Sequence, residues 1–224
     1  MAAGVAYAVG AEAILYRIDY YGLPAILKIR VSKPYRHPVF DKLFRYRRTV
    51  TEARVLSHLY LLGLNVPALY YVDPDNYLIV MEYISGCRLS DCLGSLNKEA
   101  IRDLALELGR QAATIHSNGI YHGDFTIANI IVRDNKPYII DFGLSGYSWD
   151  VEEYAIDIHL LDRSIYALYP VYREFFMENF WRGYKSIVGI EKQGLVYERF
   201  RDIKLRGRYV EERLRRKTSL DRYI

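Results

Sequence analysis

Apolar residues alternate with polar ones in two short early runs, Glu12 to Tyr20 and Pro24 to Val31, separated by Tyr21-Gly22. This period of two, broken by the Tyr-Gly pair, predicts two strands joined by a hairpin. From Thr49 to Leu62 the period lengthens to that of a helix, which Gly63 and the Val66-Pro67 pair would end. Leu69 to Val72 and Tyr77 to Met81 read as strands around Asp73-Pro74-Asp75-Asn76, a sequence with strong turn chemistry. Residues Glu82 to Gly86 then read as a connector.

Beyond that connector the helical period dominates. Ile101, Leu104, Ala105, Leu108, Ala112 and Ile115 share one face of a helix, with Asn97 as its N-cap and Gly119 as its stop. Ile130 to Val132 and Tyr138 to Ile140 form a short strand pair around Asp134-Asn135, and from Val151 the pattern is helical to the end. The outline is α+β, with a strand-rich first part and a helical second part. No internal repeat or flexible linker divides the 224 residues.

Composition excludes several classes. Half the residues are hydrophobic and about a quarter charged, as in an ordinary folded chain. The apolar start, Met1 to Tyr16, has no Lys or Arg and contains Glu12, so it does not read as a signal peptide. No run reaches the length of a membrane span. Cys87 and Cys92 fit neither a zinc site nor a disulfide framework, and the expected compartment is a reducing cytoplasm. The net charge of +4 is segregated: residues 28–54 carry +7, residues 199–224 carry +6, and the stretch between them carries −8. Two basic stretches on an acidic body point to a polyanionic partner, though solvated helix faces account for either one alone.

Four polar features fall in order along this outline. Lys28 interrupts an apolar strand, where an ammonium facing a cleft can hold nucleotide phosphates; alone, it also fits an edge strand with a snorkelling side chain. Glu52, one turn into the helix that follows, can hold that lysine in place. His122-Gly123-Asp124-Phe125-Thr126-Ile127-Ala128-Asn129 sets an Asn five residues after an Asp, a spacing that supplies an acceptor-orienting carboxylate and a nearby metal ligand. Asp141-Phe142-Gly143, twelve residues after Asn129, presents a carboxylate at a strand end.

Together these features resemble protein kinases. More narrowly, four segments resemble the small atypical kinase of the KEOPS (EKC) complex, the p53-related or bud-site-selection kinase family. They are Gly10-Ala11-Glu12-Ala13, Lys33-Pro34-Tyr35-Arg36-His37-Pro38, His122 to Asn129, and Leu205-Arg206-Gly207-Arg208. The resemblance implies a two-lobed kinase-like fold, with a small β-rich N-lobe over residues 1–82 and a reduced helical C-lobe over residues 83–224. It implies ATP and Mg2+ as cofactors and an activity of the non-specific serine/threonine kinase or ATPase type. Asp124 would be catalytic, with Asn129 and Asp141 on the metal. Gly10, Glu12, Lys28, Glu52, Glu82 and Ile84 would complete the nucleotide site, the last two through the backbone of Glu82 to Ile84. The implied partners are a threonylcarbamoyl-transferring KEOPS protein, other KEOPS subunits, and tRNA through the basic C-terminal tail, in the making of N6-threonylcarbamoyladenosine.

Departures from larger kinases narrow the activity. Only Gly10 stands where those enzymes have three glycines, Gly123 replaces an arginine that reads a phosphorylated loop, and only Leu144 to Asp150 separate Gly143 from the next helix. A broad peptide platform has almost no room, so self-phosphorylation, ATP hydrolysis or one docked partner fits better. Rival readings are a small-molecule phosphotransferase of the aminoglycoside or choline type and a non-catalytic kinase-fold scaffold. The first usually has a longer, acidic helical lobe, and the second has no need of Lys28, Asp124, Asn129 and Asp141 together. A RIO-type kinase is a nearer cousin but is expected to lack the full Asp-Phe-Gly.

Overall fold

The computed structural model describes residues 6–10 and 12–220, with side chains as far as residue 206. Ala11 of the Gly10–Ala13 opening and the side chains of the basic tail beyond Arg206 lie outside the described residues.

Strands β1 (Ala6–Val9), β2 (Ala13–Tyr20), β3 (Leu23–Arg30), β4 (Leu69–Asp73) and β5 (Leu78–Glu82) form one antiparallel sheet in the order β1-β2-β3-β5-β4. The β2–β3 hairpin turns through Tyr21 (φ 54°) and Gly22 (φ 84°), the paired positive values of a tight two-residue turn, and Asp19 accepts the Gly22 N–H at 2.8 Å. Because side chains alternate along a strand, Ile26, Lys28 and Arg30 share one face of β3. All three are buried.

Helix α1 (Pro38–Leu61) packs on that sheet through Thr49, Glu52, Ala53, Val55, Leu56 and Leu59. It begins eleven residues earlier than the Thr49 start expected from periodicity, so Glu52 lies about four turns into the helix instead of one. The early turns escaped detection because Val39, Phe40 and Leu43 are exposed, leaving no apolar stripe to read. The chain then passes through β6 (Cys87–Arg88) and the short α2 (Leu89–Cys92).

The second half is built on α3 (Lys98–Ser117), capped by Asn97, whose side chain accepts the Ala100 N–H at 2.8 Å. Strand β7 (Ile120–Tyr121) pairs with β10 (Gly146–Tyr147), and β6 pairs with β8 (Ile130–Arg133), which pairs with β9 (Lys136–Ile139). Two helices close the core: α4 (Val151–Leu168), and α5 (Arg173–Leu220), which is broken at Gly189 (φ 80°). Helices α3 and α5 cross closely enough that glycine is required. A Cβ on Gly109 would stand 2.1 Å from the Phe180 carbonyl oxygen, and one on Gly183 would stand 2.0 Å from that of Leu106.

The charge segregation reads differently in three dimensions. In the +7 stretch, Lys28 and Arg30 are buried on Glu52, Arg36 pairs with Glu12, and Arg45 pairs with Asp41 at 2.8 Å. At the basic end, Arg199 and Arg206 pair with Glu152, and Lys204 pairs with Asp162. Part of the charge in each stretch is therefore taken up by ion pairs, buried on Glu52 in the first and at the surface in the second.

Candidate active site

The β3 face directs Lys28 toward α1 and the cleft. Its Nζ donates to Glu52 Oε1 at 2.7 Å and to Asp141 Oδ1 at 2.7 Å, closing a contact across 113 residues of sequence. The second oxygen of Glu52 accepts from Arg30 Nη2, so one fully buried carboxylate serves two cations. Burial by itself would lower the Lys28 pKa, but Glu52 and Asp141 outweigh it and hold the ammonium above the ordinary lysine range. Desolvating such a group of charges stabilises a fold little compared with an apolar core, so it reads as an arrangement kept for chemistry.

The His122–Asn129 loop is held from behind. Asp157, a buried residue of α4, accepts the His122 N–H at 2.6 Å on one carboxylate oxygen and the Gly123 N–H at 2.8 Å on the other. His122 is also buried. Its Nδ1 accepts the Asp124 N–H at 3.2 Å, which places the ring proton on Nε2, where it donates to the Ile140 carbonyl at 3.0 Å. The imidazole thus ties the loop to the strand end before Asp141 and has no free nitrogen for acid–base work. Gly123 (φ 79°) allows the turn, and a Cβ there would meet the Leu144 carbonyl oxygen at 2.4 Å. Asn129 Nδ2 donates to both the main-chain oxygen and the Oδ2 of Asp124, each at 2.9 Å.

Asp141 sits at φ 62°, a conformation that costs a non-glycine residue roughly 1–3 kcal/mol. Phe142 pays for it by packing fully buried, 4.7 Å from the His122 ring. The Asp141 side chain is about half open to the cleft (49 %), and Gly143 N–H donates to its Oδ1 at 3.2 Å. Burial pushes its pKa up, but the Lys28 ammonium prevails and brings it down to about 2. Arg48 of α1 donates to the Gly143 carbonyl at 3.1 Å, holding the same turn from the other side.

These groups open on one cleft. Its inner half is apolar, lined by Leu15, Ile26, Met81, Ile84, Ile131 and Ile140, and it suits a flat heteroaromatic ring. Its outer half is lined by Gly10, Glu12, Lys28, Arg30, Asp124 and Asp141, and it suits a charged chain of phosphates. Glu82 and Asn129 also line the inner half, and Glu52 stands behind Lys28, so all nine residues picked from the sequence meet here. Besides the buried Glu52, whose oxygens are both engaged, two of them do not aim a free side chain at the cleft. The Glu82 carboxylate accepts from Arg133 Nη1 at 3.0 Å and from Ala68 N–H at 3.3 Å, and the Glu12 carboxylate accepts from Arg36 at 2.9 Å.

The donor set fits a nucleotide-bound Mg2+. Asn129 uses only its amide nitrogen, leaving Oδ1 without a protein partner among the described residues, and the same holds for Asp141 Oδ2. No group of three or more His, Cys, Asp or Glu side chains gathers among the described residues. One carboxylate plus one amide oxygen is a partial shell of the kind completed by substrate phosphates and water.

The protein kinase domain family matches residues 29–155. The KEOPS complex subunit Bud32 of Pyrococcus abyssi is 40% identical over 208 residues, covering 90% of this chain and 94% of its own length. The chain belongs to the Bud32 family of protein-kinase-domain proteins. A second member of this similarity group, a probable bifunctional tRNA threonylcarbamoyladenosine biosynthesis protein of Methanothermobacter thermautotrophicus, is 34% identical over 202 residues. The match covers 90% of this chain and 36% of that protein. The crystal structure of a Rio2 kinase-ADP/Mg2+-phosphoaspartate complex from Chaetomium thermophilum superposes with a TM-score of 0.61 at 16% identity. That match covers 87% of this chain and 69% of the Rio2 chain, and it establishes a shared fold.

Sequence reading of this Bud32-family chain missed Arg30, Arg48 and Asp157. Two of them left signals. Arg30 stands two residues after Lys28 on the same buried strand face. Asp157 falls inside the apolar stripe Tyr154, Ile158, Leu161 and Ile165, where a carboxylate survives only if amides face it. Arg48 left none, since its partner is a main-chain carbonyl.

Proposed function

We propose that the protein is an ATP- and Mg2+-dependent atypical kinase or ATPase serving as the KEOPS subunit that supports N6-threonylcarbamoyladenosine formation in tRNA. The observation that carries this reading is the Lys28–Asp141 contact at 2.7 Å, with Asp124 and Asn129 linked beside it on the same cleft. That is the minimum set for phosphoryl transfer: a cation for phosphates, ligands for a metal and a carboxylate for the acceptor.

In this reading Lys28 leaves Asp141 for the α/β-phosphates while Glu52, still tied to Arg30, keeps its hold on the ammonium. Asp141 and Asn129 take the metal, which when bound neutralises charge on the transferring phosphoryl group. Asp124, steadied by the Asn129 amide, orients the acceptor hydroxyl or water. The main chain of Glu82 to Ile84 meets the adenine edge, and the Gly10 turn covers the phosphates. The lobes divide after Glu82, giving residues 1–82 and 83–224. With few residues between Gly143 and α4, the acceptor is the protein itself, water or one docked partner, within the broad serine/threonine kinase class.

The names of the relatives support the setting. One is a KEOPS subunit, and the other is a bifunctional protein of the same tRNA modification. We therefore place a threonylcarbamoyl-transferring partner and the remaining KEOPS subunits around this chain, in the cytoplasm. No helix among the described residues is long and apolar enough to cross a membrane. The net +6 of residues 199–224 supports a phosphate contact with tRNA. Reconstitution with the partner proteins and unmodified tRNA tests the reading. Modified nucleoside should form with the wild type and fall at least ten-fold with Asp141→Ala; equal yields would sink it.

A further inference from the structure

The Tyr35-Arg36-His37-Pro38 stretch has no part in the phosphotransfer machinery described above. Tyr35 is exposed, and His37 makes no side-chain cap to α1. Arg36 does something specific. It reaches back 24 residues to donate from Nη2 to Glu12 Oε1 at 2.9 Å. Its guanidinium lies 4.2 Å from the centre of the Phe44 ring, and Nη1 stands 3.8 Å from Asp41 Oδ1. The other Glu12 oxygen lies 3.9 Å from Arg30 Nη1, and Arg30 in turn holds Glu52.

Glu12 belongs to the turn between β1 and β2. There Gly10 N–H donates to the Ala13 carbonyl at 2.9 Å, and the Glu12 carbonyl accepts from Val31 N–H at 3.1 Å. Gly10, Glu12 and Arg30 all line the phosphate half of the cleft. Two facts about this turn need reconciling. With a single glycine it offers few bare amides to wrap a phosphate. It also places a carboxylate beside the seat of a polyanion, which repels unless neutralised. Arg36 and Arg30 answer both, by cancelling that charge and by tying the turn down to the sheet and to α1.

We propose that Arg36 is a positioning residue: by clamping Glu12, with Arg30 on the second oxygen, it fixes the entry of β2 beside the seat of the nucleotide phosphates. Side-chain ion pairs thus replace the glycine-rich backbone grip of larger kinases. The same chain of contacts runs from Arg36 through Glu12, Arg30 and Glu52 to Lys28, so the turn and the phosphate-holding lysine are set together. This inference rests on the nucleotide reading above.

The test compares equilibrium binding of Mg-ATP and of adenosine to the wild type, Arg36→Met, Arg36→Lys, Glu12→Gln and the Arg36→Met/Glu12→Gln double variant. Arg36→Met and Glu12→Gln should each weaken ATP by about three- to five-fold, the range of a part-exposed ion pair, with adenosine unchanged within about two-fold. Arg36→Lys should recover part of the loss. The double variant should be no weaker than the weaker single, because the pair acts as one unit. The sign for Glu12→Gln is decisive, since a merely adjacent anion would make ATP bind tighter once neutralised. Tighter ATP in that variant, an equal loss of adenosine, or losses that multiply in the double variant would each overturn the clamp. A wild type that binds neither ligand would instead remove the nucleotide reading itself.

Discussion

Asp157→Asn is the substitution whose consequence is best determined by the geometry. The wild-type carboxylate is 1 % exposed and gives one oxygen to His122 N–H at 2.6 Å and the other to Gly123 N–H at 2.8 Å. An asparagine keeps one acceptor and turns a donor toward the second amide. One buried N–H is then left without a partner, at roughly 1–3 kcal/mol, and the remaining bond loses its charge assistance, about 1 kcal/mol more. A total of about 2–4 kcal/mol should lower the melting temperature by roughly 5–15 °C in a chain of this size. Catalysis should suffer further, because His122 and Gly123 lead directly into Asp124. A displacement of about 1 Å at a reacting group can cost about 100-fold in rate. Circular-dichroism melting and γ-phosphate turnover on the same preparation read both effects. A variant melting within about 2 °C of the wild type and turning over at full rate would refute the assignment of Asp157 as the anchor of the loop.

Three further outcomes follow from the site. With Lys28→Met the ammonium that depresses Asp141 is gone while burial and the Gly143 N–H bond remain, so the Asp141 pKa should climb from about 2 toward the ordinary 3.8 in a carboxyl-carbon NMR titration. In the wild type the same depression means that the Lys28–Asp141 pair contributes stability above the unfolded-state pKa near 3.8, and this is lost as pH falls toward 2. Gly123→Ala should destabilise by more than about 1 kcal/mol in denaturant titration, since the new Cβ would meet the Leu144 oxygen at 2.4 Å in a left-handed backbone.

What was legible in the sequence was what local chemistry determines. Tyr21-Gly22 and Asp134-Asn135 announce tight turns because both pairs take positive φ, and Asn97 announces a helix start because its side chain caps one. Lys28 and Asp141 could be picked out because they interrupt or end an apolar run, Asp124 and Asn129 because of their spacing, and the order of all four matched a known chemistry. What was not legible depends on partners far along the chain. Arg30 and Glu52 are 22 residues apart, and Asp157 lies 34 residues beyond Gly123, so the local signals at Arg30 and Asp157 show burial without naming the partner. The first turns of α1 were lost for the opposite reason. A helix exposed at Val39, Phe40 and Leu43 carries no buried stripe, and the basic residues in and just before it suggested a surface patch although Arg36 and Arg45 are held in ion pairs.

The central claim is that Lys28, Asp124, Asn129 and Asp141 form a working phosphoryl-transfer site. The measurement that tests it most directly follows the labelled γ-phosphate of Mg-ATP, with and without tRNA, in the wild type, Asp124→Ala and Asp141→Ala. Label should appear on the protein or in free phosphate with the wild type and respond to tRNA. It should fall by at least about ten-fold in each variant while their melting temperatures stay close to the wild type. Turnover undiminished in both variants, or label passing preferentially to an added small amine or alcohol, would contradict the account.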